Sequence, residues 1–364
     1  MLRACFVMEQ HLGHMTYYQN IRRFVDEAPQ VAPTWVPVTY LPRIGFLPKS
    51  LQGSLRGAQQ VRAGLRHAKA DVVFFNTQVP AALAGGLLRA APYVVATDIT
   101  PIQYDALGAL YNHAPDRPGL MASYKKRINS AVFRGAARLL PWSSWARDSM
   151  VTDYGVDPAR ATVLPPGVDL NLWHPAPKGD VSPVRILFVG ADFDRKGGPR
   201  VMQAFQALQS GTAELHLVTR SPVPNAPGVI VHRGMQPNSP ELIALYQSCD
   251  VFVLPTGAEA FGIAAAEASA SGLPVVATRT GGLVDIVADG ETGYLIPPGD
   301  DAALLQQLRN LTANAELRQD MARAARARAE VHFDARKNAE KLLACLADVA
   351  AVTKAIGSAG RPPD

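Results

Sequence analysis

Two glutamates eight residues apart, Glu259 and Glu267, stand on either side of Phe261-Gly262 in the stretch LPTGAEAFGIAAAEASASG. Asp250 to Leu254 reads as a strand that runs out at Pro255, and a helix is expected to begin near Phe261 and Gly262. The first backbone N–H groups of that helix, around Phe261, Gly262 and Ile263, then face whatever lies beyond the sheet edge, and an anion fits that position. From Gly262 to Glu267 a helix climbs roughly 7 to 8 Å at 1.5 Å per residue. That spacing puts Glu259 on one side of a bound diphosphate and Glu267 on the other, where each carboxylate can accept from sugar hydroxyls. The plainer alternative is a parallel α/β repeat with Glu259 a solvated loop acid and Glu267 a polar helix position. Against it, a carboxylate set among AAAEASASG is costly unless something donates hydrogen bonds to it.

A second cluster of chemistry follows the expected strand Val184 to Gly190. Arg195 and Lys196 are adjacent cations beside Gly197 and Gly198, which read as flexible. Arginine can fork a diphosphate and lysine can meet it as a point charge, so the pair would offset charge growing on a departing phosphate. The alternative is a surface Lys-Gly turn. The same loop carries Asp192-Phe193-Asp194, a D-x-D string of the kind that holds a divalent metal on a diphosphate. Here the two acids precede two cations able to do the metal's work, and no metal requirement is expected. In the first half, Gly13 could bring backbone close to phosphates or to an acceptor. His11 and His14 flank it and read as plain loop positions, with acceptor binding the alternative. Asp98, at the end of YVVATD, is a candidate contact for a sugar or acceptor hydroxyl, with helix capping the alternative.

These segments resemble the retaining glycosyltransferases of family four (glycosyl transferases group 1). The 254–299 stretch resembles the E-x7-E region, ILFVGADFDRKGGPRVMQAF the strand, loop and Arg-Lys-Gly element, and LPPGVDLNLWHP the interdomain Pro-Gly-Val-Asp segment. The resemblance implies the GT-B fold, two Rossmann-like doubly wound domains facing a central cleft. It also implies retaining transfer of a sugar from a nucleoside-diphosphate sugar to a hydroxyl acceptor, a glycan or a lipid-linked saccharide, with no separate cofactor. Arg195 and Lys196 would hold the diphosphate, Glu259 would orient sugar hydroxyls, Glu267 would hold the ribose, and Thr219 and Met235 would border the nucleotide. Relatives usually carry a histidine where this chain has Thr97-Asp98, so that histidine's role does not carry over.

Strands alternating with helical stretches are what must position these residues, and the alternation occurs twice. Leu2 to Met8, Asp71 to Asn76, Tyr93 to Thr97 and Ala137 to Pro141 read as buried strands of a first domain, with a basic helix over Leu51 to Ala70. Val184 to Gly190, Glu214 to Thr219, Val229 to His232, Asp250 to Leu254, Pro274 to Thr278 and Gly293 to Ile296 read likewise in a second. The division expected is 1–172 for acceptor binding, 173–340 for the sugar-nucleotide donor, and a helical tail over 341–364 crossing back to the first domain. The end, GSAGRPPD, reads as disordered. At 364 residues the chain suits two domains, and no apolar run approaches the ~20 residues of a membrane span. The N-terminus reads as a strand, not a signal segment, which places the chain in the cytoplasm. Cys5, Cys249 and Cys345 are too few and scattered for a disulfide framework or a zinc site.

Charge is uneven: residues 1–170 hold 18 Lys and Arg against 11 acids, whereas 171–364 hold 18 against 20. Arg43, Lys49, Arg56, Arg62, Arg66 and Lys69 fall in an acid-free stretch, and Arg117, Lys125, Lys126, Arg127, Arg134 and Arg138 repeat the pattern. Such a half is either a solvated surface or a patch for an anionic partner, a bilayer or an acidic acceptor. Nucleic acid is disfavoured for want of an aromatic platform. A nicotinamide dehydrogenase is disfavoured because no G-x-G-x-x-G follows any expected strand. A sugar-nucleotide epimerase and a non-catalytic sugar-nucleotide-binding homologue remain as alternatives.

Overall fold

The computed structural model describes residues 1–11, 13–40, 49–177 and 183–359. Arg43 of the basic stretch, part of the Pro/Gly-rich linker and the last residues of the tail lie outside them. The described residues divide into two compact units, each built on one parallel sheet.

The first unit comprises Met1–Ala106, Ala114–Gly167 and Ala335–Asp364. Its sheet contains β1 (Leu2–Glu9), β2 (Val31–Val38), β3 (Val72–Phe75), β4 (Tyr93–Thr97) and β5 (Arg138–Pro141), in the order β2-β1-β3-β4-β5. β3 and β4 are buried at every position, which is why they read as unbroken apolar runs with no alternation. β2 escaped the sequence reading because VAPTWVPV carries two prolines. It is an edge strand pairing only with β1, and a proline there forgoes no ladder bond if its nitrogen faces away from the sheet. The helix Ala335–Ala359 packs on the helix Gly13–Asp26 and on β3.

The second unit comprises Leu107–His113 and Val168–Asp334. Its six strands are β6 (Val184–Val189), β7 (Ala213–Val218), β8 (Val229–His232), β9 (Val251–Leu254), β10 (Val275–Thr278) and β11 (Gly293–Ile296), in the order β11-β10-β9-β6-β7-β8. The division therefore falls after residues 167 and 334, where the sequence placed it after 172 and 340, and 107–113 joins the second unit. Gly167 explains one motif glycine: an added Cβ would lie 2.1 Å from the Ala335 Cα.

The helices after residue 300 show why arginine recurs in an alanine-rich run. Met321, Ala325 and Ala329 of the helix Ala315–His332 are buried, and this helix packs on Ile263–Ala270, small face on small face. From the same helix Arg326 donates to the carbonyls of Trp173 and Ala270, each at 2.7 Å, and Arg328 donates to those of Asp285 and Ile286. These guanidinium groups satisfy the last carbonyls of two short helices.

Candidate functional site

In the second unit β6, β9 and β10 are neighbours in the middle of a parallel sheet, so the loops leaving their C-terminal ends converge. The loop after β6 turns through Asp192 to Gly197. Arg195 Nη1 donates to the Ala258 carbonyl at 3.0 Å, its Nε to Asp192 at 3.3 Å, and its guanidinium lies 4.9 Å from the Tyr111 ring centre. Lys196 Nζ is ion-paired with the Glu259 carboxylate. The Thr256 hydroxyl donates to Ala258 at 2.8 Å, and Gly257 N–H donates to the Arg195 carbonyl at 3.0 Å, so the two loops are laced together by backbone.

Three glycines here are required by close approach. Gly197 sits at φ 83°, and a Cβ on it would lie 2.2 Å from the Pro255 carbonyl oxygen. On Gly198 a Cβ would meet the Phe193 ring at 2.2 Å, and on Gly281, at φ 52°, the Glu259 carbonyl oxygen at 1.7 Å. The Gly197-Gly198 pair is therefore packing, not the flexibility the sequence implied. Gly262, at φ 107°, opens the helix Ile263–Ala270 with no side-chain cap. The first N–H groups of a helix have no intrahelical acceptor, so this end can receive an anion. The Phe261 side chain turns inward onto Phe333, centroids 6.2 Å apart.

Glu259 and Glu267 are only 8 % and 5 % exposed, so neither is a solvated acid. Glu267 is held from the helix Pro240–Ser248, whose Tyr246 hydroxyl donates to it at 3.4 Å. Burial pushes the Glu267 carboxyl up to about 8, a shift that the Tyr246 hydrogen bond reduces without reversing. Thr219 is buried, and its hydroxyl donates to the Ala191 carbonyl at 3.3 Å. Met235 is half-buried in the turn after β8. Asp192 of the D-x-D string is tied to Arg195, and the Asp194 carbonyl accepts from Gly197. Among the described residues no group of three or more His, Cys, Asp or Glu could hold a metal ion.

In the first unit Gly13 begins the helix Gly13–Asp26, and His14 belongs to that helix rather than to a loop. Its Nε2 faces Asp98 Oδ1 at 3.5 Å. Asp98 is thus engaged by a histidine, not by a helix terminus. Nothing in the sequence signalled this pairing, nor the roles of Tyr111, Thr256 and Tyr246. Those groups come from other elements and carry no local motif.

Comparison with known proteins bears on the fold. The family described as Glycosyltransferase Family 4 matches residues 21–172, and Glycosyl transferases group 1 matches 228–328. Among solved structures, sucrose-phosphate synthase from Thermosynechococcus elongatus superposes with a TM-score of 0.75 at 17 % identity, over 97 % of this chain and 100 % of that one. Anabaena HepE, solved with UDP-glucose, gives 0.69 at 17 % identity, over 96 % and 100 %. These likenesses define the class, a protein of the GT-B fold. Models of the family 4 and group 1 glycosyltransferases thus match two separate stretches of the chain, one in each half. The D-inositol 3-phosphate glycosyltransferase of Paenarthrobacter aurescens is 34 % identical over 224 residues, 55 % of this chain and 54 % of that protein. The MMP alpha-(1->4)-mannosyltransferase of Mycolicibacterium hassiacum is 36 % identical over 204 residues, 52 % and 49 %. The chain thus spans about half the length of the curated relatives it matches.

Proposed function

We propose that this chain transfers a sugar from a nucleoside-diphosphate sugar to a hydroxyl acceptor, a glycan or lipid-linked saccharide, with retention at the anomeric carbon and without a metal ion. The observation that carries this reading is the convergence of Arg195, the Lys196–Glu259 pair and the uncapped helix start at Gly262 on the C-terminal ends of β6, β9 and β10. Lys196 and Arg195, with the backbone at Phe261, Gly262 and Ile263, meet the diphosphate and offset the charge that grows on it as the sugar departs. Glu259 orients sugar hydroxyls and Glu267 holds the ribose, with Thr219 and Met235 bordering the nucleotide. On the first unit Gly13 and Asp98 serve the acceptor. The acceptor hydroxyl approaches the face the phosphate leaves, and a phosphate oxygen takes its proton, so no strong protein base is needed.

Thermal-shift measurements against UDP, GDP and ADP sugars test this, with UDP-glucose first because HepE was solved with it. A ligand at a hundred times its Kd stabilises the native state by about 2.7 kcal/mol. One of the three families of donor should raise Tm, unchanged in excess EDTA, and Lys196→Ala should remove most of the rise. No shift with any donor would sink the reading. Transfer abolished by EDTA and restored by manganese would overturn metal independence, and epimer formation without an acceptor would favour an epimerase.

A further inference from the structure

At the C-terminal edge of the first unit's sheet, the polar groups around the ends of β1 and β4 are nearly all engaged. The Glu9 carboxylate accepts from the Thr77 hydroxyl, and the Glu9 backbone exchanges hydrogen bonds with the Asn76 side chain. The Thr97 hydroxyl meets the Gln78 side chain at 2.6 Å and the Ile99 carbonyl at 2.9 Å. His14 differs. Its Nε2 faces Asp98, its ring lies 4.9 Å from the Trp142 ring, and its Nδ1 is buried with no hydrogen-bond partner among the described residues. An ionised carboxylate only accepts, so in the neutral imidazole the nitrogen facing Asp98 carries the proton and Nδ1 presents a lone pair. Buried acceptors without a donor are uncommon, and one at the carboxyl ends of parallel strands lies where such sheets bind ligands.

We propose that His14 Nδ1 is the hydrogen-bond acceptor for a hydroxyl of the acceptor substrate, with Asp98 a positioning residue that holds the imidazole in this tautomer. The assignment rests on the glycosyltransferase reading and specifies its acceptor side. It transfers the hydroxyl contact from Asp98 to the histidine that Asp98 orients. Hydrogen bonds of this kind are often open before substrate arrives and close in the complex. The acceptor is recognised by its chemistry, a neutral hydroxyl donor on a sugar or polyol. Protonation would turn Nδ1 into a donor and end the contact. Burial lowers the tendency of His14 to protonate, but the charge and hydrogen bond of Asp98 and the charge of Glu9 outweigh it, so the net shift is upward. The aromatic neighbour Trp142, itself packed against Tyr17, adds no charge in the neutral range.

The test uses the full chain labelled with 15N-histidine, with D-glucose and myo-inositol as hydroxyl probes, each at high millimolar concentration with and without saturating sugar nucleotide. The expected result is a His14 whose Nδ1 is unprotonated at pH 8.5 and moves with at least one probe, the response fading as pH falls. His14→Phe should weaken probe binding about tenfold, while His14→Asn, which places an oxygen near the Nδ1 position, retains most of it and loses its pH dependence. Asp98→Asn should move the pH response to lower values, since the larger of the two groups that raise His14 is gone. A His14 silent to both probes in protein that binds sugar nucleotide overturns this assignment alone. Loss of Tm in all three variants without any change in probe affinity overturns it equally, as a structural role. Failure to bind any sugar nucleotide overturns the functional reading beneath it.

Discussion

Glu267 shows how a single side chain can be read correctly as unusual and still be misjudged in its state. Its setting among alanines and serines marked a carboxylate in need of a partner, and the partner is a tyrosine 21 positions away, on another helix. With burial raising its pKa to about 8, the folded state holds a proton that the unfolded chain releases near the ordinary glutamate value. Stability from this group is therefore present in full below pH ~4.5 and is lost as pH rises through about 8. Glu267→Gln, which cannot ionise, should lack that loss. The gap in Tm between wild type and the variant should shift against the wild type between pH 5 and 8.5, by an amount corresponding to a few kcal/mol at most. Parallel curves over that range would show that Glu267 ionises freely.

Elements position the site through contacts that only glycine permits. Gly197 and Gly211 adopt similar left-handed backbones, φ 83° and 79°, yet a Cβ on Gly197 collides with the Pro255 carbonyl while one on Gly211 meets nothing within 4 Å. The conformational penalty alone, about 1 kcal/mol, applies to both. Gly197→Ala should therefore cost roughly 2 to 4 kcal/mol in denaturant unfolding and weaken sugar-nucleotide binding, with Gly211→Ala near 1 kcal/mol and no effect on binding. Equal losses would mean that the loop after β6 does not need its close approach to the loop after β9. The central strands were legible because burial on both faces writes them as continuous Val, Phe and Leu runs. β2 was not, because proline content argues against a strand unless its edge position is known.

At the scale of the whole molecule, the uneven charge raised the prospect of an anionic partner for the first unit. Arg62, Arg66 and Lys69 are exposed, although Arg62 also donates to the Leu83 carbonyl at 3.1 Å and is partly committed to structure. On the helix Leu120–Gly135, Leu120, Met121 and Tyr124 are exposed beside Lys125 and Lys126. Among the described residues no helix is long and apolar enough to cross a membrane. We propose, from these exposed cations alone, peripheral contact with an anionic bilayer, each surface cation contributing about 1 kcal/mol near such a membrane. In sedimentation assays Arg66→Glu with Lys69→Glu should reduce binding to phosphatidylserine-containing vesicles severalfold at low salt. Identical recovery on neutral and anionic vesicles would end the idea.

The sequence alone indicated the two parallel sheets apart from β2, the run of site loops after β6 and β9, and the family resemblance, since these depend on local periodicity and on short motifs whose spacing survives without coordinates. Tertiary structure decided which groups meet. His14 and Asp98 are 84 positions apart, Lys196 and Glu259 are 63, and Arg195 and Tyr111 are 84. No helical or strand period connects such positions, because strand order is not chain order in a doubly wound sheet. Protonation state was decided there too, since desolvation depends on every element packed around a carboxyl or an imidazole and not on its neighbours in the chain.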